Sequence, residues 1–135
     1  MTLRCLSRVT LFLLVALAAS AQGVCNLSGH WRSAHGTLLE INLTDNGTLT
    51  GSYQSSSSLP KFTMVGVHQH GNQPTFALAV KDSTSVSVRV LSGQCYTTPD
   101  GGMTLVTLWI LRAPAAKQTD DWQTSRIGAA TFMRN

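Results

Sequence analysis

The chain has 135 residues, of which 43% are hydrophobic and 12% are charged, and its formal net charge is +4. This length suits one small domain with a single core, and the even spread of hydrophobic residues excludes a disordered chain. The ten basic residues are scattered instead of clustered beside aromatic residues, which argues against a nucleic-acid-binding protein.

The first 21 residues have the features of a secretory signal peptide. Arg4 and Arg8 precede an apolar segment at 9–19, and Ala19-Ser20-Ala21 forms a small-x-small cleavage site. The apolar segment is about half the roughly 20 residues that a transmembrane helix needs, although an uncleaved membrane anchor remains the alternative. We therefore predict a signal peptide over 1–21, a mature domain over 22–135 and a secreted, extracellular protein without a membrane partner. Cleavage would lower the net charge from +4 to +2.

Cysteine usage and glycosylation sequons agree with export. Cys5 lies in the predicted signal peptide, so the mature domain keeps Cys25 and Cys95. Two cysteines in an exported chain most simply form one disulfide, and two separate thiols are the alternative. Three N-x-S/T sequons predict a glycoprotein with at least one glycan, although two of them are too close for easy double modification. Their asparagines are Asn26, Asn42 and Asn46.

The sequence of the mature domain predicts an all-β fold. Short runs rich in Val, Thr, Leu and aromatic residues recur at intervals of roughly 8–12 residues, each followed by a turn sequence such as Asp45-Asn46-Gly47. The predicted strands are 27–33, 37–43, 48–54, 62–67, 75–81, 85–95, 103–112 and 123–134. Eight strands joined by short turns favour an eight-stranded antiparallel up-and-down β-barrel, whose interior can hold one small ligand. A Greek-key sandwich is the alternative.

The sixth predicted strand alternates polar and aliphatic residues. Ser85, Ser87 and Arg89 share one face, and the valines between them share the other. The valines could face the core, as in an ordinary barrel. In a ligand-binding barrel they could instead lie outside under a second subunit, with the polar residues lining the mouth. Periodicity alone does not separate these two interpretations.

Catalytic and metal-binding patterns are weak. The chain has six acidic residues, and it contains neither a G-x-S-x-G elbow nor a phosphate-binding glycine loop. His68 and His70 have the spacing of two ligands on one strand face but lack an acidic or cysteine partner nearby, so we interpret them as solvated loop histidines. We predict no enzyme, no metal and no cofactor. The large aromatic residues serve either as core or as the walls of a ligand cavity.

Six sequence blocks, taken in order, resemble the avidin family of secreted biotin binders. They span nearly all of 25–134 and are Cys25-Asn26-Leu27-Ser28-Gly29-His30-Trp31, Gly47-x-Leu49-Thr50-Gly51-Ser52-Tyr53, Gln73-Pro74-Thr75-Phe76, Ser92-Gly93-Gln94-Cys95, Leu108-Trp109-Ile110-Leu111-Arg112 and Asp121-Trp122-Gln123-Thr124-Ser125-Arg126-Ile127-Gly128. The resemblance implies a homotetramer of barrels, a Cys25–Cys95 disulfide and biotin at one open end. It also implies that Trp109 packs on the biotin ring and that Trp122 reaches into a neighbouring subunit's pocket.

The resemblance implies polar contacts as well. Tyr53 and Thr37 would donate to the ureido oxygen of biotin, and Ser55 would face a ureido nitrogen. Ser85 and Ser87 would meet the valerate carboxylate. These hydroxyls suit biotin because a buried urea needs preorganised partners that replace its water.

Five positions depart from the family pattern. Ser33 and Ala130 replace polar residues that complete the ureido contacts, Asp82 replaces a pocket-wall tryptophan, and Thr84 replaces an aromatic residue. Arg89 stands where a threonine normally touches the sulfur, so its guanidinium must reach solvent, pair with Asp82 or block the site. The loop after Tyr53 is also shorter than in avidin.

These departures lead to a prediction of biotin binding with weakened affinity. Two lost hydrogen bonds and one lost aromatic wall amount to roughly 4–10 kcal/mol. The alternative is an avidin-like oligomer that has lost biotin and binds another small anionic ligand, or none. The predicted ligand-binding residues are Ser33, Thr37, Tyr53, Ser55, Ser85, Ser87, Arg89, Trp109 and Trp122.

Overall fold

The computed structural model of the chain describes residues 23–135, so the predicted signal peptide lies outside the described residues. This region forms eight β-strands and one short 3₁₀ helix, Gln118–Gln123, between the last two strands. The strands are β1 (Gly29–Ser33), β2 (Leu38–Leu43), β3 (Thr48–Gln54), β4 (Phe62–His68), β5 (Thr75–Lys81), β6 (Val88–Thr97), β7 (Met103–Arg112) and β8 (Ser125–Arg134). Within residues 23–135, no helix has the length and hydropathy needed to cross a bilayer.

The strands form a closed antiparallel barrel in sequence order. Each strand pairs with the next, and β1 returns to β8 through the pairs Trp31–Arg134, Arg32–Met133 and Ser33–Phe132. The up-and-down barrel prediction is therefore confirmed, and the Greek-key alternative is wrong. Closure leaves neither β1 nor β8 as an unpaired edge.

Turn chemistry explains why the predicted hairpins form. Between β2 and β3, Gly47 has a φ of +79°, a left-handed conformation that glycine adopts without steric cost. The Asn46 side-chain oxygen accepts hydrogen bonds of 2.7 Å from the hydroxyls of both Thr44 and Thr48. These contacts fix the register of the β2–β3 pair at its tip.

The sixth strand begins later than predicted. It starts at Val88, so Ser85 and Ser87 lie in the β5–β6 loop and not in the strand. Asp82 causes this difference, because its carboxylate accepts hydrogen bonds from the Thr84 N–H at 2.8 Å and from the Ser85 hydroxyl at 3.0 Å. A local turn of this kind competes with strand pairing. β1 and β8 likewise begin two residues later than predicted, at Gly29 and Ser125.

The side chains of β6 adopt the arrangement typical of a ligand-binding barrel. Val88 and Val90 are 49% and 40% exposed on the outside of β6, and Val86 is 79% exposed in the preceding loop, so none of the three faces the core. Arg89 lies between Val88 and Val90 and points inward, because successive side chains of a strand alternate between its two faces. The core inside the barrel consists of Cys25, Leu27, Trp31, Leu39, Ile41, Leu49, Tyr53, Met64, Phe76, Leu78, Val80, Leu91, Cys95, Leu105 and Phe132.

One disulfide anchors the segment before β1 to β6. Cys25 and Cys95 are bonded, with their Cα atoms 5.8 Å apart and a sequence separation of 70 residues. The Cys25 N–H also donates to the Asn72 carbonyl at 2.8 Å, and the Cys95 N–H donates to the Pro74 carbonyl at 2.9 Å. The predicted disulfide is confirmed, and the alternative of two separate thiols is wrong.

A second anchor joins the same segment to β8. The Arg134 guanidinium carbon lies 4.3 Å from the centroid of the Trp31 ring, which is fully buried. The guanidinium donates to the backbone carbonyls of Asn26 and Ser28, and the Trp31 Nε1–H donates to the Leu27 carbonyl at 2.9 Å. Arg134 therefore covers Trp31 and ties the start of the barrel to its end.

Replacing Arg134 with Ala tests this anchor. We expect the free energy of unfolding to fall by about 2–4 kcal/mol, less than the sum of its contacts because Arg134 is exposed to solvent. Urea unfolding of the disulfide-bonded protein at one fixed protein concentration measures the loss. Arg32→Ala is the matched control, since Arg32 is an exposed arginine on the outer face of β1, and it should change stability by about 0.5 kcal/mol or less. Equal unfolding midpoints for the two variants would contradict the anchoring role.

Candidate functional site

A small cavity opens at one end of the barrel. It lies where β3, β5 and β7 end and where β4 and β6 begin, and its volume is about 60 Å³. The residues that line it are Tyr53, Ser55, Phe62, Val80, Asp82, Ser87, Arg89 and Leu111. Four predicted ligand-binding residues, Tyr53, Ser55, Ser87 and Arg89, are thus brought together from two strands and two loops that are far apart in sequence.

The guanidinium of Arg89 lies between two aromatic rings inside this mouth. Its central carbon is 4.9 Å from the centroid of the Tyr53 ring and 5.7 Å from the Trp109 ring. Both distances fall within the roughly 6 Å range of a cation–π interaction. A side chain of the protein itself therefore occupies the space next to both rings.

The positive charge at this position has no acidic partner within the described part of the chain. The ion pair found in residues 23–135 joins Arg112 to Asp121, away from the cavity lining. Burial lowers the pKa of Arg89, yet a guanidinium stays protonated in proteins. The mouth therefore contains a cation that is partly desolvated and balanced by ring faces alone.

Asp82 lines the same cavity but does not neutralise Arg89. Hydrogen bonds from the Thr84 hydroxyl, the Thr84 N–H and the Ser85 hydroxyl hold the pKa of Asp82 below its ordinary value. Its oxygens are thus engaged by its own turn. Of the three possibilities for Arg89, the structure shows it inside the mouth and not paired with Asp82.

The cavity volume shows how far Arg89 obstructs the site. Sites for small molecules usually measure about 300–1,000 Å³, roughly five times this cavity or more. Below the mouth, core side chains such as Leu78 and Leu91 occupy the barrel interior. A ligand larger than a few atoms can enter only when the Arg89 side chain moves out.

Trp109 is positioned by a glycine on the neighbouring strand. Trp109 in β7 pairs with Gly128 in β8, and a Cβ atom at Gly128 would lie only 2.2 Å from the indole ring. Glycine here lets the indole lie against the backbone of β8. Gly128 is a supporting residue that the predicted site did not include.

Ser33 and Thr37 form a turn at the β1–β2 connection. The Thr37 N–H donates to the Ser33 hydroxyl oxygen at 3.1 Å, and the Ser33 N–H donates to the Thr37 carbonyl at 3.0 Å. Ser33 is buried, and neither residue lines the cavity beside Arg89. The structure therefore assigns both residues a visible part in closing this turn.

Two other predicted residues lie outside the cavity of their own chain. Ser85 is exposed and donates to Asp82 in the β5–β6 loop, whereas Ser87 lines the cavity. Trp122 lies on the 3₁₀ helix, where it is 77% exposed. The Trp122 indole therefore does not contribute to the cavity wall of its own barrel.

The sequence pattern did not identify the apolar residues of the cavity wall. Phe62, Val80 and Leu111 line the cavity although none was predicted as a site residue. Inward and outward side chains alternate along β5 and β7 as they do along β6. The alternating pattern around Val80 and Leu111 could therefore have indicated that these residues line the cavity. The signal was ambiguous because alternation alone does not say which face is inside.

Comparison with known proteins agrees with this architecture. Residues 21–135 match the sequence profile of the Avidin family. Avidin-related protein 1 of Gallus gallus is 32% identical over 139 residues, covering 95% of this chain and 93% of that protein. The crystal structure of Xenavidin has a TM-score of 0.78 and 36% identity, covering 83% of this chain and 99% of that one. A biotin-binding protein from chicken has a TM-score of 0.76 and 31% identity, covering 82% and 97%. The chain therefore belongs to the avidin family.

Proposed function

We propose that this protein is a non-enzymatic binder of biotin whose affinity is weakened by Arg89. Membership of the avidin family and the solved structure of a biotin-binding relative support biotin as the ligand. Tyr53 and Trp109 supply the aromatic walls, and Ser55 and Ser87 supply hydroxyls at the same mouth. The observation that carries the weakening is the guanidinium held between the Tyr53 and Trp109 rings.

Biotin must displace Arg89 before its ring can contact those walls. Displacement breaks two cation–π contacts, together worth about 1–3 kcal/mol in a partly desolvated site. Rehydration of the guanidinium offsets part of that cost. The ureido group also meets fewer partners, because Ser33 is engaged by Thr37 and Ala130 has no polar side chain. Both effects lower affinity without closing the site permanently.

Replacing Arg89 with Thr tests the proposal. We expect the variant to bind biotin at least tenfold more tightly than the wild-type protein, because the space between the rings is then free. Isothermal titration of the mature protein with biotin measures the change. Arg32→Thr is the control, since it removes an exposed arginine outside the mouth, and it should bind like the wild type.

Two results would contradict biotin binding as proposed. One is wild-type protein that gives no heat with biotin at micromolar concentrations. The other is an Arg89→Thr variant whose affinity equals that of the wild type and of Arg32→Thr. Circular dichroism and size exclusion establish that each variant is folded before the titrations are compared.

A second candidate function is binding of a different small anion. The uncompensated guanidinium favours it, because a buried cation attracts a carboxylate more strongly than an exposed one does. Under this alternative Arg89 stays in the mouth and contacts the ligand directly.

The Arg89→Thr variant separates the two functions, because it should strengthen biotin binding but weaken the binding of a different small anion. An anion such as pentanoate should raise the melting temperature of the wild-type protein and of Arg32→Thr but not of Arg89→Thr. For biotin the Arg89→Thr variant should show the larger shift. Equal pentanoate shifts in all three proteins would exclude a direct contact between Arg89 and the anion.

We also propose that the chain assembles as a homotetramer. Large apolar side chains cover the outer surface of β4, β6, β7 and β8, where a monomer would leave them in water. These residues, which we call the outer apolar face, are Val65, Val67, Val88, Val90, Val106, Leu108, Ile110 and Ile127. Burial of this face against further copies, with exposed Trp122 reaching a neighbouring mouth, supports the tetramer.

Two substitutions test the assembly. Leu108→Lys places a charge in the outer apolar face and should reduce the mass measured by light scattering from four chains to fewer. Ala34→Lys, in the exposed turn between β1 and β2, introduces the same charge outside this face and should leave four chains intact. Trp122→Ala should keep four chains but weaken biotin binding. A wild-type monomer, or a Trp122→Ala variant with unchanged affinity, would contradict the assembly or the exchange respectively.

Secretion and glycosylation complete the proposal. The signal peptide over 1–21 directs export, and the disulfide suits an oxidising compartment. Asn26, Asn42 and Asn46 are all exposed, so a glycan at any of them meets no steric obstacle within the described chain.

A further inference from the structure

A pair of histidines lies at the end of the barrel opposite the Arg89 mouth. His68 is the last residue of β4, whose first residue, Phe62, lines the mouth. Six residue steps at about 3.3 Å place the two positions roughly 20 Å apart along the strand. His70 follows in the β4–β5 loop. The pair therefore has no direct contact with the proposed biotin site.

His68 differs from the solvated loop histidine that the sequence suggested. Its side chain is half-buried, and its Nε2 atom is buried without a hydrogen-bond partner. Buried imidazole nitrogens normally have a partner, and an unpartnered one is a strong candidate for a ligand contact. His70, in contrast, is exposed and lies directly beside it.

The distance between the two rings matches that of two histidines on one metal ion. Their centroids are 5.4 Å apart and their planes meet at 79°. With a metal–nitrogen distance of about 2.0–2.1 Å, two imidazoles on one ion have centroids roughly 4.5–6.5 Å apart, depending on the angle between the two bonds. To bind one ion together, the two rings would rotate about their side-chain bonds so that a nitrogen of each faces the same point.

The space around the pair is open enough for an ion with its own water ligands. The histidines border a concavity of about 400 Å³, formed with the segment from Val24 to Leu27 and with the loop at Gly71. No third His, Cys, Asp or Glu joins them among residues 23–135. Water would fill the other coordination positions, which excludes a closed four-ligand zinc site and favours a metal with high affinity for imidazole.

We propose that His68 and His70 form a two-histidine site for a divalent transition metal, with Cu²⁺ preferred. Among first-row divalent ions Cu²⁺ binds nitrogen ligands most tightly, so it is the ion that two imidazoles hold most readily. Binding gives the buried Nε2 of His68 a partner and links β4 to the β4–β5 loop beside the Cys25–Cys95 disulfide.

Copper titration of the mature, untagged protein after treatment with a chelator tests this site. We expect one Cu²⁺ per chain by calorimetry and an electron paramagnetic resonance spectrum with two imidazole nitrogens. His68→Gln and His70→Gln should each weaken binding at least tenfold, whereas the double control His30→Gln/His35→Gln should bind like the wild type. Copper should raise the melting temperature of the wild type and of the control more than that of His70→Gln.

Two measurements can refute the copper site: the electron paramagnetic resonance spectrum and copper binding by the His70→Gln variant. His70→Gln alters a solvent-facing side chain, so this variant should fold even if His68→Gln does not. The proposal is overturned if binding survives in His70→Gln, if it is lost equally in the control, or if the spectrum shows one imidazole or none. Biotin titrations give an independent result, because the mouth lies at the other end of β4.

Discussion

One guanidinium, held close to two aromatic rings, fills the mouth of the closed barrel. Arg89 points inward because β6 alternates and its neighbours Val88 and Val90 are exposed outside. Tyr53 and Trp109 stack against it, and no carboxylate within the described residues neutralises it. The cavity is small for this reason, and any ligand that stacks between the rings competes with Arg89.

The fold was predictable because its signals are local and repeated. The β2–β3 hairpin follows from Asn46-Gly47, and the Cys25–Cys95 disulfide follows from the two cysteines left after the predicted signal peptide is removed. The start of β6 was less predictable, because the Asp82 turn withdraws Ser85 and Ser87 from strand pairing. Competition between a side-chain turn and a strand is decided by hydrogen bonds that a residue pattern does not contain.

The site was predictable in part. The family resemblance and strand alternation together pointed to Tyr53 and Arg89, which do meet in the mouth. The sequence allowed three places for the Arg89 guanidinium: in solvent, paired with Asp82 or inside the mouth. The positions of the aromatic rings and of the Asp82 carboxylate in the folded chain decide among them. Ser33 and Thr37 were predicted to bind ligand, but in the structure the hydrogen bond between them closes a turn.

Crystal structures of the mature protein, one without ligand and one after soaking with biotin, would locate the Arg89 side chain in both states. We expect the ligand-free crystal to have the Arg89 guanidinium between Tyr53 and Trp109. In the biotin-soaked crystal we expect the biotin ring to replace the guanidinium there, with Arg89 turned toward solvent. An Arg89 side chain already outside the mouth without ligand, or biotin bound with Arg89 unmoved between the rings, would contradict this expectation.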